Sequence, residues 1–570
     1  MNWIKGPSLV LSAFVSITLV ASCGGQPKAQ FVGEVKTNAG PAVTTTEVEP
    51  ITSTISTSTE ASDVVTLTDE DIKNYKDVIK LLDAAEVTVP DSVRLEISAL
   101  GQPATSDLHA EDSDTQLALF GFGRSSGRRQ ISAGLTNTLA RLLGTISPST
   151  LGNLIMIPLV QQICIPNGLL LVTNPTGTSV DLSNKSGCLK LSGAFFKPMG
   201  NGRTCMSCHF PLDSWGINST NVQKRFAATQ GMDPLFRPVD GAVCPKADVS
   251  TVSARRNAYS LLLNKALIRI ELAIPDAAEF SLKAATGTYC NDVSPERSML
   301  SMFRRPLPTT NLEFITSVMW DGRESVTHDL SKDLAVQASH ATTSHAQARS
   351  PSAKEISEMV SFERSVTSAQ IASNKGFNIS STSQSAAAVL AAQKFTPNQN
   401  ISPFNKNVFS LFDPFANSAD TNMKSIYRGQ QIFNTRNFTV NGVGRTTTCS
   451  SCHNTPNVGT NSAVPALYFN TGVASEQRRS SDLPLYTLVS VESAKTIKVS
   501  DPGRAMVTGK WDDIGKFKVP GLRGLAARAP YFHNGLAATV SDVVAFYDSQ
   551  YQIRLTLQDR LDLTAFLSAL

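Results

Sequence analysis

Two places in the chain carry the same small constellation: Cys205, Cys208 and His209 within "RTCMSCHF", and Cys449, Cys452 and His453 within "TTTCSSCHNTP". Residues at i, i+3 and i+4 share a helix face, so in each string two thiols and an imidazole point the same way. That geometry suits covalent haem: the thiols add to the two vinyl groups of one porphyrin, and the histidine binds iron from the proximal side. A zinc ribbon would set its second Cys pair about 15–20 residues from the first, whereas Cys205 and Cys449 stand 244 positions apart. A redox dithiol needs no histidine after it. The strings therefore predict two covalently bound c-type haems with His209 and His453 as proximal ligands.

Two haems alone imply electron transfer. An enzyme needs an inequality between them, one iron fully ligated and the other open to an oxidant, so the sixth ligands matter. The chain has seven histidines. His109 lies in a stretch expected to be poorly structured, which leaves His328, His340, His345 and His533.

The elements that hold these groups read as helices. Gly and then aromatic or aliphatic bulk precede both strings, in "SGAFFKPMGNGRTCMSCH" and "RGQQIFNTRNFTVNGVGRTTTCSSCH", a weak repeat such as two related domains would give. Apolar residues recur every three or four positions, as with Leu563, Phe566, Leu567 and Leu570 in the final "LDLTAFLSAL". The expected fold class is mainly α with few strands: two cytochrome c-like haem domains with long loops, preceded by a signal peptide and a disordered tether.

The opening "MNWIKGPSLVLSAFVSITLVASCGG" has one positive charge, an apolar run broken by Ser12, Ser16 and Thr18, and then Cys23. It reads as a lipoprotein signal over 1–22, with Cys23 carrying the lipid that attaches the protein to a membrane. Gly24 and Gly25 point to an exported, periplasmic, outer-membrane lipoprotein. Residues 23–67 form the tether: positions 41–60 hold ten Ser or Thr and no aromatic residue. A helix capped by Thr68, with Ile72, Tyr75, Ile79 and Leu82 on one face, opens a helical extension over 68–180 to which no role is assigned. The first haem domain spans 181–400, with an insertion, and the second 401–570. Cys164, Cys188, Cys244 and Cys290 remain, which predicts two disulfides with three pairings open. Apolar residues make up 41% and charged residues 17%, ordinary globular values. The formal charge of +4 falls by one once Lys5 is removed with the signal, which gives no electrostatic case for nucleic acid.

Three further stretches carry a resemblance. "DIGKFKVPGLRGLAARAPYFHNGLAATVSDVVAFYD" (513–548), "VMWDGRESVTHDLSKDLAVQA" (318–338) and "FERSVTSAQ" (362–370) resemble segments of the bacterial di-haem cytochrome c peroxidases, and with the two haem strings the similarity covers roughly residues 190–570. The resemblance implies that His533 supports the second haem near a propionate. It places the sixth ligand of the second iron fourteen residues later, at Tyr547, where methionine is common; tyrosine there is similar to MauG, which makes a protein-derived tryptophan cofactor. It makes Trp320 an aromatic relay between the haems and sets the distal pocket of the first haem just after Gln337-Ala338.

There the sequence departs from the family, with "SHATTSHAQARS" in place of a Gly-Pro step and a Glu-Met ending. Gln347 falls where the distal glutamate belongs, and His345 lies close by, suited either to general acid–base work or to ligating the first iron. Glu358 is a second candidate for the acid–base task. Arg225, Arg237 and Asp240 in "RFAATQGMDPLFRPVDGAVCP" could bind propionates, although an ordered loop is the favoured reading. The resemblance also admits a calcium ion between the domains and a homodimer.

The expected function is an oxidoreductase that reduces hydrogen peroxide to water with electrons from a cytochrome c or cupredoxin. One alternative is a MauG-like or rubber-oxygenase-like enzyme acting on an organic or protein substrate. The other is an electron-transfer lipoprotein without turnover.

Overall fold

A computed structural model describes residues 170–570 apart from 184–187, 290–298, 376–378, 380–385, 399–406 and 441–445, together with the short pieces 65–66, 94, 130–131 and 164–166. The signal, Cys23, the tether, His109, the helix expected after Thr68 and Cys290 lie outside the described residues, as does nearly all of the 68–180 extension. Cys244 is disulfide-bonded.

β1 (Leu170–Asn174) and β2 (Gly177–Ser183) form a hairpin. After the first Cys-x-x-Cys-His string comes α1 (Ser219–Thr229), started by Asn218, whose side chain accepts from the Thr220 amide at 2.8 Å, and burying Val222 and Phe226. Then follow β3 (Ile268–Ala273), β4 (Phe280–Thr286) and β5 (Met299–Arg304), with β3 and β5 antiparallel and Ile270 opposite Met302. α2 (Leu330–Ser344) begins where Asp329 caps the Ser331 and Lys332 amides. α3 (Ala353–Ser365) begins at a Ser352/Glu355 capping box and runs straight into β6 (Val366–Ser373). β6 closes a three-stranded sheet in the order β6-β2-β1, with Ala369 opposite Val180.

In the C-terminal half α4 (Thr421–Thr435) is followed by β7 (Leu485–Ser490), β8 (Thr496–Val499), α5 (Val540–Tyr551) and α6 (Leu557–Ser568). α4 and α6 pack closely at Gly429, where a Cβ would strike the Asp562 carbonyl. Phe409, Phe412, Phe433 and Phe566 fill the core beside them. Leu563, Phe566, Leu567 and Leu570 are all buried, the face that the terminal periodicity predicts.

The expectation of a mainly α chain with few strands is corrected: the protein is a mixture of helices and small antiparallel sheets. β7 is the middle strand of an 8-7-4 sheet, so 280–286 pairs with 485–490 across the 400/401 boundary. These strands are short and bury alternate residues, Tyr486, Leu488 and Ser490 in "LYTLVS". A period of two over six residues is hard to tell from three- and four-residue spacing in a short run.

The sheet reaches the first string through one side chain. Trp215 is fully buried against Phe195, Phe196 and Phe362, with ring centroids 5.1–6.4 Å away. Its indole donates to Asp181 of β2 at 2.8 Å, and Ser368 of β6 donates to the same carboxylate. Burial lifts the Asp181 pKa to about 7, partly offset by these two bonds.

Candidate functional site

Cys205–Ser207 form a single tight turn, with the Thr204 amide donating to the Ser207 hydroxyl at 3.0 Å and the His209 amide to the Cys205 carbonyl at 3.0 Å. The turn brings both thiols and the imidazole to one cavity. His209 Nδ1 lies 3.3 Å from the carbonyl of Trp215. A carbonyl only accepts, so Nδ1 carries the proton and Nε2 keeps its lone pair for a metal. Burial pulls the His209 pKa down to about 4, which keeps the ring neutral.

The cavity encloses about 1240 Å³ of atom-free space, including its open mouth. Ile268, Ile270, Leu307, Leu312, Ile315 and Val318 make an apolar wall, and Trp320 completes that side. α2 contributes Gln337, Ala338, Ala341 and Thr342, and His345 follows just past its end. These positions recur at four-residue steps and so form one helix face. His345 Nδ1 lies 2.6 Å from Asp240 Oδ2, and Arg203 pairs with Asp240 Oδ1 at 2.6 Å. Burial would raise the Asp240 pKa, but the hydrogen bond from His345 and the Arg203 guanidinium outweigh it, and the carboxylate titrates below its usual range.

At the second string the Thr448 amide donates to the Ser451 hydroxyl at 3.1 Å, Cys449–Cys452 form one helical turn, and His453 Nδ1 lies 2.7 Å from the Gly459 carbonyl. Burial holds this imidazole near a pKa of about 4 as well. Tyr547 on α5 is packed in the same core cluster as Cys449. Burial drives its phenol far above the usual range, with Tyr551, Cys452 and Cys449 adding to the rise.

Between the two strings Trp320 donates from its indole to the Arg305 carbonyl at 2.8 Å and meets the His533 ring edge-on at 6.1 Å. His533 stacks on Phe517 at 3.9 Å, is 1% exposed, and has no hydrogen bond at Nε2 among the described residues. Trp320, Phe517, Phe546 and Tyr547 belong to one apolar cluster. The turn that presents Trp320 needs Gly322, at φ +71°, because a Cβ there would strike the Tyr468 hydroxyl.

Buried cations without anions mark both strings. At the first cavity Lys518 is buried with Nζ 2.7 Å from the Ser317 carbonyl, and its pKa is pushed down to about 8 by burial. Arg305 binds the Pro530 and Ile217 carbonyls, finds no partner for Nε among the described residues, and its pKa falls to about 9, first through burial and then through Arg528. Arg523, 2% exposed, donates Nε to the Asn457 carbonyl at 2.7 Å just beyond His453, and its two terminal nitrogens find no partner among the described residues. Burying a charge without a partner is costly. A haem brings two carboxylates, so paired thiols, a neutral imidazole and unanswered guanidinium or ammonium groups fit it in both places.

No protein-family model matches the chain. It is 31% identical over 183 residues to cytochrome-c peroxidase IdrP1 of Pseudomonas sp. (strain SCT), covering 28% of this chain and 43% of that protein. It is 32% identical over 141 residues to IdrP1 of Denitromonas iodatirespirans, covering 21% and 36%, and 30% identical over 123 residues to cytochrome c551 peroxidase of Pseudomonas aeruginosa, covering 21% and 30%. Over these stretches the chain is similar to cytochrome c peroxidases. The matches span less than half of those peroxidases' own lengths. A crystal structure of a MauG-like protein associated with microbial copper homeostasis aligns with 47% of this chain and 76% of its own, at 15% identity and a TM-score of 0.26, a likeness too loose to carry an argument.

The cavity gathers Trp320, Gln337 and His345 but not two neighbouring candidates. Gln347, left-handed at φ +50°, accepts from Asn201 at 3.1 Å on the exposed side. Glu358 accepts from the Ala194 amide at 3.0 Å and braces the chain beside Gly193. Arg225 grips Asp233 through two bonds of 2.9 and 2.6 Å, and Arg237 donates to the Asn201 carbonyl, so both build the loop. Asp240, grouped with them in the sequence reading, instead reaches the cavity. His340 meets Glu324 at 3.0 Å and stays largely exposed, and His328 lies at a separate groove.

Arg304 pairs with both Asp321 and Asp501, and Arg323 adds to Asp321. Among the described residues no group of three or more His, Cys, Asp or Glu stands ready for a metal ion.

Sequence reasoning missed Glu363, although it quoted "FERSVTSAQ"; Ser361, Arg364 and Ser365 stand beside it, so no local pattern marks it as buried. Glu363 lines the cavity, is 5% exposed, and its Oε2 has no partner among the described residues. Burial lifts its pKa from 4.5 to about 8. The unfolded chain is ionised across that window while the folded one keeps the proton, so folding takes up a proton and stability falls as pH rises from 4.5 to about 8. The slope is bounded by about 1.4 kcal/mol per pH unit. The thermal midpoint of the wild type should therefore fall relative to that of Glu363→Gln across this window; parallel curves would show that Glu363 is ionised.

Proposed function

We propose that the chain is an exported oxidoreductase with two covalently bound c-type haems, which reduces hydrogen peroxide to water with electrons taken singly from a small redox protein such as a cytochrome c or cupredoxin. The observation that carries the reading is the shared cavity: the first Cys-x-x-Cys-His string faces the same space as an imidazole held by a buried carboxylate. The peroxidase relatives support it, and the lead ending in Cys23 supports export and a lipid anchor.

Cys205, Cys208 and His209 would hold one haem, and Cys449, Cys452 and His453 the other, with Tyr547 as the sixth ligand of the second. Lys518 and Arg305 at the first, and Arg523 at the second, would answer the propionates, with His533 in the pocket wall. The haems supply the change of oxidation state. The chain's own work is with protons and position. His345 Nε2 takes the proton from the nearer peroxide oxygen and returns it to the leaving oxygen, while the Gln337 amide orients the substrate. One peroxide, two electrons and two protons give two waters. Trp320 and the cluster around Phe517 and His533 form the apolar bridge between the two centres.

The test is steady-state consumption of a reduced cytochrome c with peroxide. The reading expects two donors oxidised for each peroxide; no donor oxidation under any condition would overturn it. Tyr547, half-buried and packed against the same core cluster as Cys449, favours a second reading in which a long-lived oxidised state acts on an organic or protein substrate. Tyr547→Phe should raise the reduction potential of one haem and change its spectrum, since a hard anionic donor favours the ferric state. An unchanged spectrum would remove Tyr547 from the ligand set.

A further inference from the structure

We propose that Asp240 is the positioning residue of the first cavity: held by Arg203, its carboxylate decides which nitrogen of His345 carries the proton. The proposal rests on the reading of His345 as the proton-transferring group. Asp240 lies 105 residues before His345, on a separate loop, and is 4% exposed. Its own backbone is fixed, since its carbonyl accepts from the Arg269 amide at 2.7 Å. Arg203, 2% exposed, is fixed too, donating to the Pro234 and Leu235 carbonyls at 3.0 and 2.7 Å. It then pairs with Asp240 Oδ1 at 2.6 Å and donates to the His345 carbonyl at 3.0 Å. One guanidinium thus sets both the carboxylate and the backbone of the histidine it serves.

A carboxylate can only accept, so the 2.6 Å contact puts the His345 proton on Nδ1 and leaves the Nε2 lone pair for the cavity. The other charged or titratable groups lining that space are Cys205, Cys208, His209, Arg304, Arg305, Arg323, Glu363 and Lys518; none of them is a hydrogen-bond partner of the His345 ring. The same geometry predicts what an amide would do. In Asp240→Asn the Arg203 guanidinium, which lies 2.6 Å from the Oδ1 position, would repel an NH₂ there, so the amide oxygen stays on that side and the NH₂ must face Nδ1. Nδ1 then has to accept, the proton moves to Nε2, and the base is lost although shape and volume are kept.

The test uses the haem-loaded full chain and hydrogen cyanide as probe. The acid must give its proton to a base in the cavity for the anion to bind, so the pH dependence of the optically measured association rate reports that base without turnover. The expected result is an inflection in the wild type that is absent in Asp240→Asn and in His345→Gln. Both variants should bind about ten- to a hundredfold more slowly at neutral pH, with unchanged haem content and resting spectrum. The proposal is overturned if Asp240→Asn keeps the wild-type rate and inflection while His345→Gln loses them. If His345→Gln keeps them as well, the reading of His345 falls and this proposal with it. Should Asp240→Asn fail to load haem, Asp240→Glu, which restores a carboxylate acceptor, must still show the inflection; its absence would count against Asp240.

Discussion

Exchanging Cys449 and Cys452 for alanine is expected to strip one of the two haems from the denatured chain, and exchanging Cys205 and Cys208 the other, as read by haem staining and intact mass. All four thiols are free of disulfides. Burial raises each of their pKa values, that of Cys449 to about 12 and of Cys452 to about 11, with Cys205 and Cys208 also raised. A redox dithiol works through thiolate, which these environments disfavour, whereas addition to a vinyl group starts from a thiol held in place. The two losses should differ in consequence. Without the first pair peroxide reduction should vanish. Without the second, the first centre should still bind cyanide but no longer complete the two-electron reaction. If either double exchange leaves the covalent haem content unchanged, the assignment of that string fails.

His345→Gln carries the second large effect. General acid–base assistance contributes about 10²–10⁴-fold, so the rate of peroxide reduction should fall by that order, while reduction of the oxidised protein by the donor in the absence of peroxide, which needs no proton transfer at His345, keeps its rate. The imidazole is not an ordinary surface histidine at the end of α2, because its Nδ1 is bound at 2.6 Å to a carboxylate that is itself held by a buried guanidinium. Glutamine keeps a hydrogen-bonding group there but cannot carry a proton between oxygens. A fall of less than about threefold would place the acid–base task elsewhere, with Glu363 next in line because it faces the same cavity without a partner.

Much of this site was legible in the sequence because its signals are local. The i, i+3, i+4 pattern of the two strings needs only one helical turn, and both turns form, each with its histidine tied to a carbonyl six residues on. The cavity face of α2 is likewise a local period. What could not be read was every pairing across a long loop. Asp240 sits among loop-building residues, and nothing nearby shows that it turns away from Arg237 toward a histidine on another element. Lys518 and Arg523 stand in quoted motifs, yet only the fold shows that no carboxylate among the described residues meets them. The strands were lost for a related reason: β4 and β7 are stabilised by each other across about two hundred residues, and neither has a pattern long enough to declare itself.

The most direct test mixes the fully reduced, haem-loaded protein with one equivalent of hydrogen peroxide under anaerobic conditions and follows both haem spectra. The account predicts that both centres lose their electron in one pass, that peroxide disappears in equal amount, and that His345→Gln slows this phase while leaving the starting spectra alone. Two haems that stay reduced while peroxide persists would contradict it.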